Sequence, residues 1–127
     1  MLSLPLILTI LVAHFIADFI MQSDSMAKGK STSNYWLSLH VAGYTGTLVT
    51  LLGIFFTLSS SYPLFTNFVL WAALNGLAHF ITDYFTSRWT SSLWKQGRTH
   101  DFFVVVGLDQ LLHYLVLFTT AKWLLQG

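Results

Sequence analysis

Seven ionisable side chains stand where the chain is otherwise apolar: His14, Asp18, His40, His79, Asp83, Asp109 and His113. Imidazole and carboxylate groups together suit a divalent cation, zinc first and manganese or non-haem iron next. Three pairs, His14/Asp18, His79/Asp83 and Asp109/His113, are four residues apart, which puts both members on one helix face. Polar residues continue those faces. Asn75-x-x-x-His79-x-x-x-Asp83-x-x-x-Ser87 forms one stripe, Gln22 extends His14/Asp18, and Tyr44 follows His40 by a turn. A buried Asp costs on the order of 2.5–3.5 kcal/mol at the centre of a membrane helix, so these groups must face a protein interior or water.

The elements that carry them are read from composition. Of 127 residues, 54% are hydrophobic and 9% charged, against about 25% charged in an average soluble domain. That excludes an ordinary water-soluble globule and a disordered chain. The absence of Cys excludes disulfides and thiolate metal sites, and a net charge of +1 excludes a nucleic-acid stripe. The expected class is all-α: a four-helix transmembrane bundle of up-down topology forming a single integral membrane domain. Its spans are expected at Leu2–Gln22, Tyr35–Leu58, Leu64–Ser87 and Phe102–Leu125, each long enough for ~30 Å of hydrocarbon. The first is read as a retained span, because its start carries no Lys or Arg and no small-residue cleavage site follows. Ala13/Ala17, Ala42/Gly46 and Ala72/Gly76 are small pairs expected to let helices approach closely.

The connections 23–34 and 88–101 share one side of such a bundle and hold five of the six Lys and Arg residues. The positive-inside rule puts that side in the cytoplasm and both termini outside, in a bacterial cytoplasmic membrane. The second basic connection is expected to lie on the membrane as a short amphipathic piece, and Thr99 or Asp101 to cap the last helix. Asp24, Lys28 and Lys30 read as interfacial loop charges, with Lys28 or Lys30 within reach of a phosphate headgroup. At 1.5 Å per residue Asp18 and His14 lie about 6 and 12 Å from the cytoplasmic end of their span, and Asp83 and His79 at matching depths. Ala13-His14-Phe15-Ile16-Ala17-Asp18-Phe19 and Ala78-His79-Phe80-Ile81-Thr82-Asp83-Tyr84 agree at five of seven positions, as expected of a duplicated helical hairpin or of a chance match between apolar helices.

The string from His14 to Lys30, written H-x-x-x-D-F-x-x-Q-x-D-x-M-A-x-x-K, with His40, His79-x-x-x-Asp83 and Asp109-Gln110-x-x-His113, resembles a family of small bacterial and phage membrane proteins known as a domain of unknown function. The resemblance spans nearly the whole chain. It implies a multi-pass membrane protein and supplies no activity. A looser similarity, in architecture alone, is to membrane-embedded zinc hydrolases of the alkaline ceramidase type, which are longer, with seven helices.

Three readings of the cluster stand side by side: a metal site, a proton or ion pathway, and structural glue in which each Asp accepts a bond from a His. Such bonds average only about 0.6 kcal/mol in membranes, a poor return on so many buried polar groups. The preferred expectation is a metal-dependent hydrolase of a lipid or lipophilic substrate. His14, His79 and His113 are expected ligands, with Asp18, Asp83 and Asp109 as ligands or their supports. His40 is the expected general base or a further ligand, and Tyr44 an oxyanion stabiliser. Membrane lipids are the expected partners. The alternatives are a divalent-metal or proton carrier, which four spans would need a homodimer to build, and a non-enzymatic phage or bacterial accessory protein.

Overall fold

Ser3 opens the first helix, α1 (Leu4–Phe15). Its hydroxyl accepts from the Leu6 N–H at 3.4 Å, and Pro5 sits in the first turn, where no N–H is needed. The computed structural model describes residues 1–126. α1 widens at its end into one π-helical turn, Ile16–Ile20, where the Met21 N–H bonds the Ile16 carbonyl at 2.9 Å. Such turns carry an extra residue and recur at functional sites; this one carries Asp18.

Ser23 caps a short helix, α2 (Asp24–Gly29), and Ser33 caps α3 (Asn34–Ser59). Ser60, at a left-handed φ of 51°, turns the chain toward α4 (Phe65–Lys95). α4 closes with Gly97 at φ +69°. The Gly97 N–H bonds the Trp94 carbonyl and the Arg98 N–H the Leu93 carbonyl, each at 3.0 Å. This pair satisfies two terminal carbonyls and requires a residue that tolerates positive φ. α5 (Thr99–Leu124) follows. The described residues hold five α-helices and no strand, in agreement with the all-α expectation.

Four long helical segments bury one side each. Residues in contact between α3 and α4 run in opposite order along the two helices: Phe56 meets Phe68, Thr45 meets Gly76, and Asn34 meets Arg88. α4 and α5 behave likewise, through Trp71 with Leu117 and Thr86 with Asp109. The close backbone pairings are α4 with α5, α3 with α4, and α1 with α3. Between α1 and α5, side chains bridge. One half of the interior is apolar, with Ile10, Leu48, Leu52, Trp71, Leu117 and Ala121 fully buried. The other half holds the polar cluster. Outward faces are apolar as well: Val12, Ile54, Leu77, Ile81, Val104 and Leu115 are all exposed. α3 and α5 are long and apolar enough to cross a membrane, and Leu4–Ile20 is a shorter apolar helix.

Several boundaries differ from expectation. α4 runs eight residues past Ser87 to Lys95, so no separate amphipathic piece exists at 88–95 and the connection shrinks to 96–98. Hydropathy falls at Arg88, but no Gly or Pro interrupts the helix before Gly97. Arg88 lies over the Tyr84 ring and donates to the Tyr84 carbonyl, which lets a charged residue continue the helix. α5 has no side-chain cap: Arg98 occupies the cap position and pairs with Asp101 at 2.8 Å, so neither Thr99 nor Asp101 caps. The first connection contains α2 rather than loop alone. Ala42 and Gly46 face outward and join no helices, whereas Ala13, Ala17, Ala72 and Gly76 are buried. At Gly76 a Cβ would lie 2.7 Å from Thr45 Oγ1, which measures how closely α3 and α4 approach.

Candidate metal centre

The polar half of the interior draws on every long segment: His14 from α1, Asp18 from the π-turn, His40 and Tyr44 from α3, His79 and Asp83 from α4, and Asp109 and His113 from α5. Four atoms form its centre. Asp18 Oδ1 lies 3.1 Å from His40 Nε2 and 3.3 Å from His79 Nε2. Asp83 Oδ2 lies 3.3 and 3.4 Å from the same two nitrogens, which are themselves 3.0 Å apart. All four residues are buried.

Hydrogen bonds alone do not account for this figure. An imidazole Nε2 carries at most one proton, yet each of these two has three polar neighbours at 3.0–3.4 Å. A tetrahedral zinc ion with ~2.0–2.1 Å bonds would set its ligand atoms roughly 3.3–3.4 Å apart. Five of the six separations among the four atoms, at 3.0–3.4 Å, already lie close to the edge of such a tetrahedron, and this buried His/Asp group could hold a metal ion. Two nitrogens and two carboxylate oxygens suit zinc, manganese or iron(II) alike.

The surrounding contacts fix these groups. His79 is sandwiched between the Tyr44 ring at 3.8 Å and the His113 ring at 4.0 Å, both nearly parallel to it. Its Nδ1 is buried without a hydrogen-bond partner, so stacking orients the ring. The Gln110 amide N–H₂ donates to Asp18 Oδ2 at 2.9 Å and Asp109 Oδ2 at 3.2 Å, and Gln110 Oε1 lies 2.8 Å from His14 Nε2. The Thr86 hydroxyl donates to Asp109 Oδ1 at 2.5 Å. His113 Nε2 lies 3.1 Å from Asp83 Oδ1 and 3.2 Å from Asp109 Oδ2.

From the first connection Lys30 folds in and donates to Asp83 Oδ2 at 2.9 Å. Burial opposes its charge, but the Asp83 and Asp18 carboxylates outweigh burial and hold the ammonium above the ordinary lysine pKa. A cavity of about 290 Å³ opens from the cluster. Asp18, Asp83, Asp109, Lys30, Gln22 and Thr86 supply polar lining, and Phe19, Phe102 and Val106 apolar lining.

Sequence reasoning named seven ionisable residues and Tyr44, and the structure gathers all eight. It distributes them unequally. His40, His79, Asp18 and Asp83 converge on one point, and Asp109 and His113 with Asp18 make a second group. His14 stands aside, with Nδ1 on the Tyr44 hydroxyl at 3.0 Å and Nε2 on Gln110. Tyr44 is buried beneath His79, away from the cavity. Gln110 and Thr86 were not given roles, and Lys30 was expected only as an interfacial loop charge within reach of a phosphate headgroup, not as a partner of Asp83. Lys30 does carry a signal, as the closing Lys of the motif that begins at His14; Thr86 carries none, since a Thr one turn from an Asp is common in any helix.

No curated protein and no solved structure matches the chain. A family model described as Protein of unknown function (DUF3307) matches residues 6–126, nearly the full length and in accord with the motif resemblance, so the chain belongs to that family.

Proposed function

We propose that this protein is an intramembrane metal-dependent hydrolase acting on a lipid or other lipophilic substrate at the cytoplasmic leaflet. One observation carries the reading: His40 Nε2, His79 Nε2, Asp18 Oδ1 and Asp83 Oδ2 converge at tetrahedral spacing beside a cavity with apolar lining. The membrane reading is an up-down bundle of the four long segments. It is supported by the apolar outward faces and by exposed Tyr35, Trp89 and Trp94 near one end with Tyr62 and Trp123 near the other, the pattern of interfacial belts. The basic residues at the first end favour the cytoplasm for that side.

A divalent ion at this point would lower the pKa of a bound water and polarise an ester, amide or phosphoester oxygen. The chain's own groups have separate tasks. His40, His79, Asp18 and Asp83 would hold the cation. Gln110 keeps Asp18 and Asp109 turned inward, and Thr86 fixes Asp109. Tyr44 packs beneath His79 and holds His14. Lys30 supplies positive charge on the cavity wall, and Phe19 and Phe102 give an acyl chain an apolar contact.

A carrier would need polar groups to continue to the opposite face. Beyond the cluster the interior is Ile10, Leu48, Leu52 and Leu117, with Asn75 and Thr120 bonded to each other. This favours a one-sided site. The test is detergent-purified protein assayed for bound metal and for hydrolysis of a panel of bacterial lipids. The reading requires both, and His40→Ala/His79→Ala should lose both while remaining monodisperse. Metal uptake into sealed vesicles without hydrolysis would overturn it in favour of a carrier.

A further inference from the structure

We infer that the centre takes two divalent cations, with Asp83 and Asp18 bridging them. The inference rests on the metal-binding reading above and concerns how many ions the cluster holds. The deciding feature is the stack of His79 on His113, with ring centroids 4.0 Å apart and planes within 15° of parallel. An imidazole nitrogen binds a metal in the plane of its own ring. Two stacked, nearly parallel rings therefore address two points in two adjacent planes, and one ion cannot lie in both. The 4.0 Å between the ring centroids is comparable to the spacing of two-metal sites, whose ions sit about 3.5–4 Å apart.

The carboxylates divide in the same way. Asp83 Oδ2 faces His40 and His79 at 3.3 and 3.4 Å, while Oδ1 faces His113 Nε2 at 3.1 Å. One carboxylate thus offers one oxygen to each group. Asp109 Oδ2 lies 3.2 Å from His113 Nε2, and Asp18 completes the second group. The first ion would take His40, His79, Asp18 and Asp83; the second would take His113, Asp109, Asp83 and the other oxygen of Asp18. Gln110 Nε2, which now spans Asp18 Oδ2 and Asp109 Oδ2 at 2.9 and 3.2 Å, marks where a positive partner for those oxygens belongs.

Charge adds a consequence for the substrate. Asp18, Asp83 and Asp109 bring three negative charges near Lys30. One divalent ion neutralises that set, whereas two leave it positive. The cavity beside a two-ion centre would then favour an anionic group, so a phosphoester headgroup suits it better than a neutral ester or amide.

The experiment is metal counting on the full chain in detergent after loading with zinc(II) or, separately, manganese(II). Two ions per chain are expected, and the manganese form should show an exchange-coupled spin-resonance spectrum. Asp109→Asn and His113→Ala should each leave one ion and an uncoupled manganese signal. One uncoupled ion in the wild type would overturn the two-ion centre and leave the proposed function standing. No ion at all would overturn both. Should either variant fail to remain monodisperse, the wild-type stoichiometry and its manganese spectrum decide the question without it.

Discussion

A carboxylate that only accepts a hydrogen bond can be replaced by an amide of the same shape, but one that holds a cation needs its charge. Asp18→Asn keeps an acceptor for the Gln110 amide yet removes a charge from the four-atom centre. It should weaken metal binding by about tenfold or more, 1.4 kcal/mol per factor of ten, with little change in folding. Asp83→Asn also leaves the half-buried Lys30 ammonium without its carboxylate, so it is best read in a Lys30→Met background. Gln22→Ala, on the cavity wall, should leave metal content unchanged. Full occupancy in both Asp→Asn variants would return these carboxylates to a structural role. Lys30→Met alone removes a cation that competes for Asp83 Oδ2, and a charge-assisted bond is worth about 1.5–3 kcal/mol. Metal affinity should therefore rise by about tenfold in a calorimetric titration, while an unchanged or weakened affinity would mean that Lys30 supports the site. The residue types of the cluster were legible because ionisable groups are costly in an apolar helix. Their partition was not. The repeated His-x-x-x-Asp strings look equivalent, yet Asp18 and Asp83 both reach the centre while His79 enters it and His14 turns to Tyr44 and Gln110. The π-turn at Ile16–Ile20 breaks the equivalence, and no residue pattern announced it.

Elements position these side chains through contacts that can be loosened one at a time. Gly29 ends α2 against α3, and a Cβ there would lie 2.5 Å from Trp36 Cδ1 and 3.0 Å from Trp36 Cβ. Propensity alone would make Gly29→Ala stabilising by about 1 kcal/mol. The clash should reverse the sign and cost about 1–3 kcal/mol, seen as a lower thermal midpoint in detergent. A raised midpoint would show that α2 swings away freely. Between segments, a cation held by α1's π-turn, α3 and α4 should act as a cross-link, since a ligand that binds only the folded state stabilises it by mass action. Chelation should lower the midpoint by several degrees and one cognate metal should restore it; no change after verified removal would favour glue. Helix type and the four long segments were legible from apolar run lengths, whereas the short polar α2 was not. The end of α4 was not, because hydropathy reports where lipid contact stops and a helix stops only where its backbone is broken, here at Gly97.

At the scale of the whole molecule, exposed apolar faces surround a buried polar cluster, and in the proposed spanning bundle the charges at the ends would set orientation. The natural chain has no cysteine, so single introduced thiols report without background. Exposed positions away from packed contacts are needed. Gly29 is excluded by Trp36 and Ser60 by its left-handed backbone. Ser25→Cys and Gln96→Cys sample the basic end, and Ser61→Cys the opposite turn; all three positions are exposed. In intact cells an impermeant maleimide should label Ser61→Cys and spare the other two until the membrane is opened. Reversed labelling would put the cavity at the outer leaflet and with it a different pool of lipids, because Lys30 and Thr86 share the end that carries Ser25 and Gln96. Labelling of all three without permeabilisation would argue against a spanning bundle altogether. The proposed site's reach depends on the same result: Lys30 lines the cavity at the basic end, so in the proposed bundle the leaflet that holds that end would be the one from which a lipid headgroup enters.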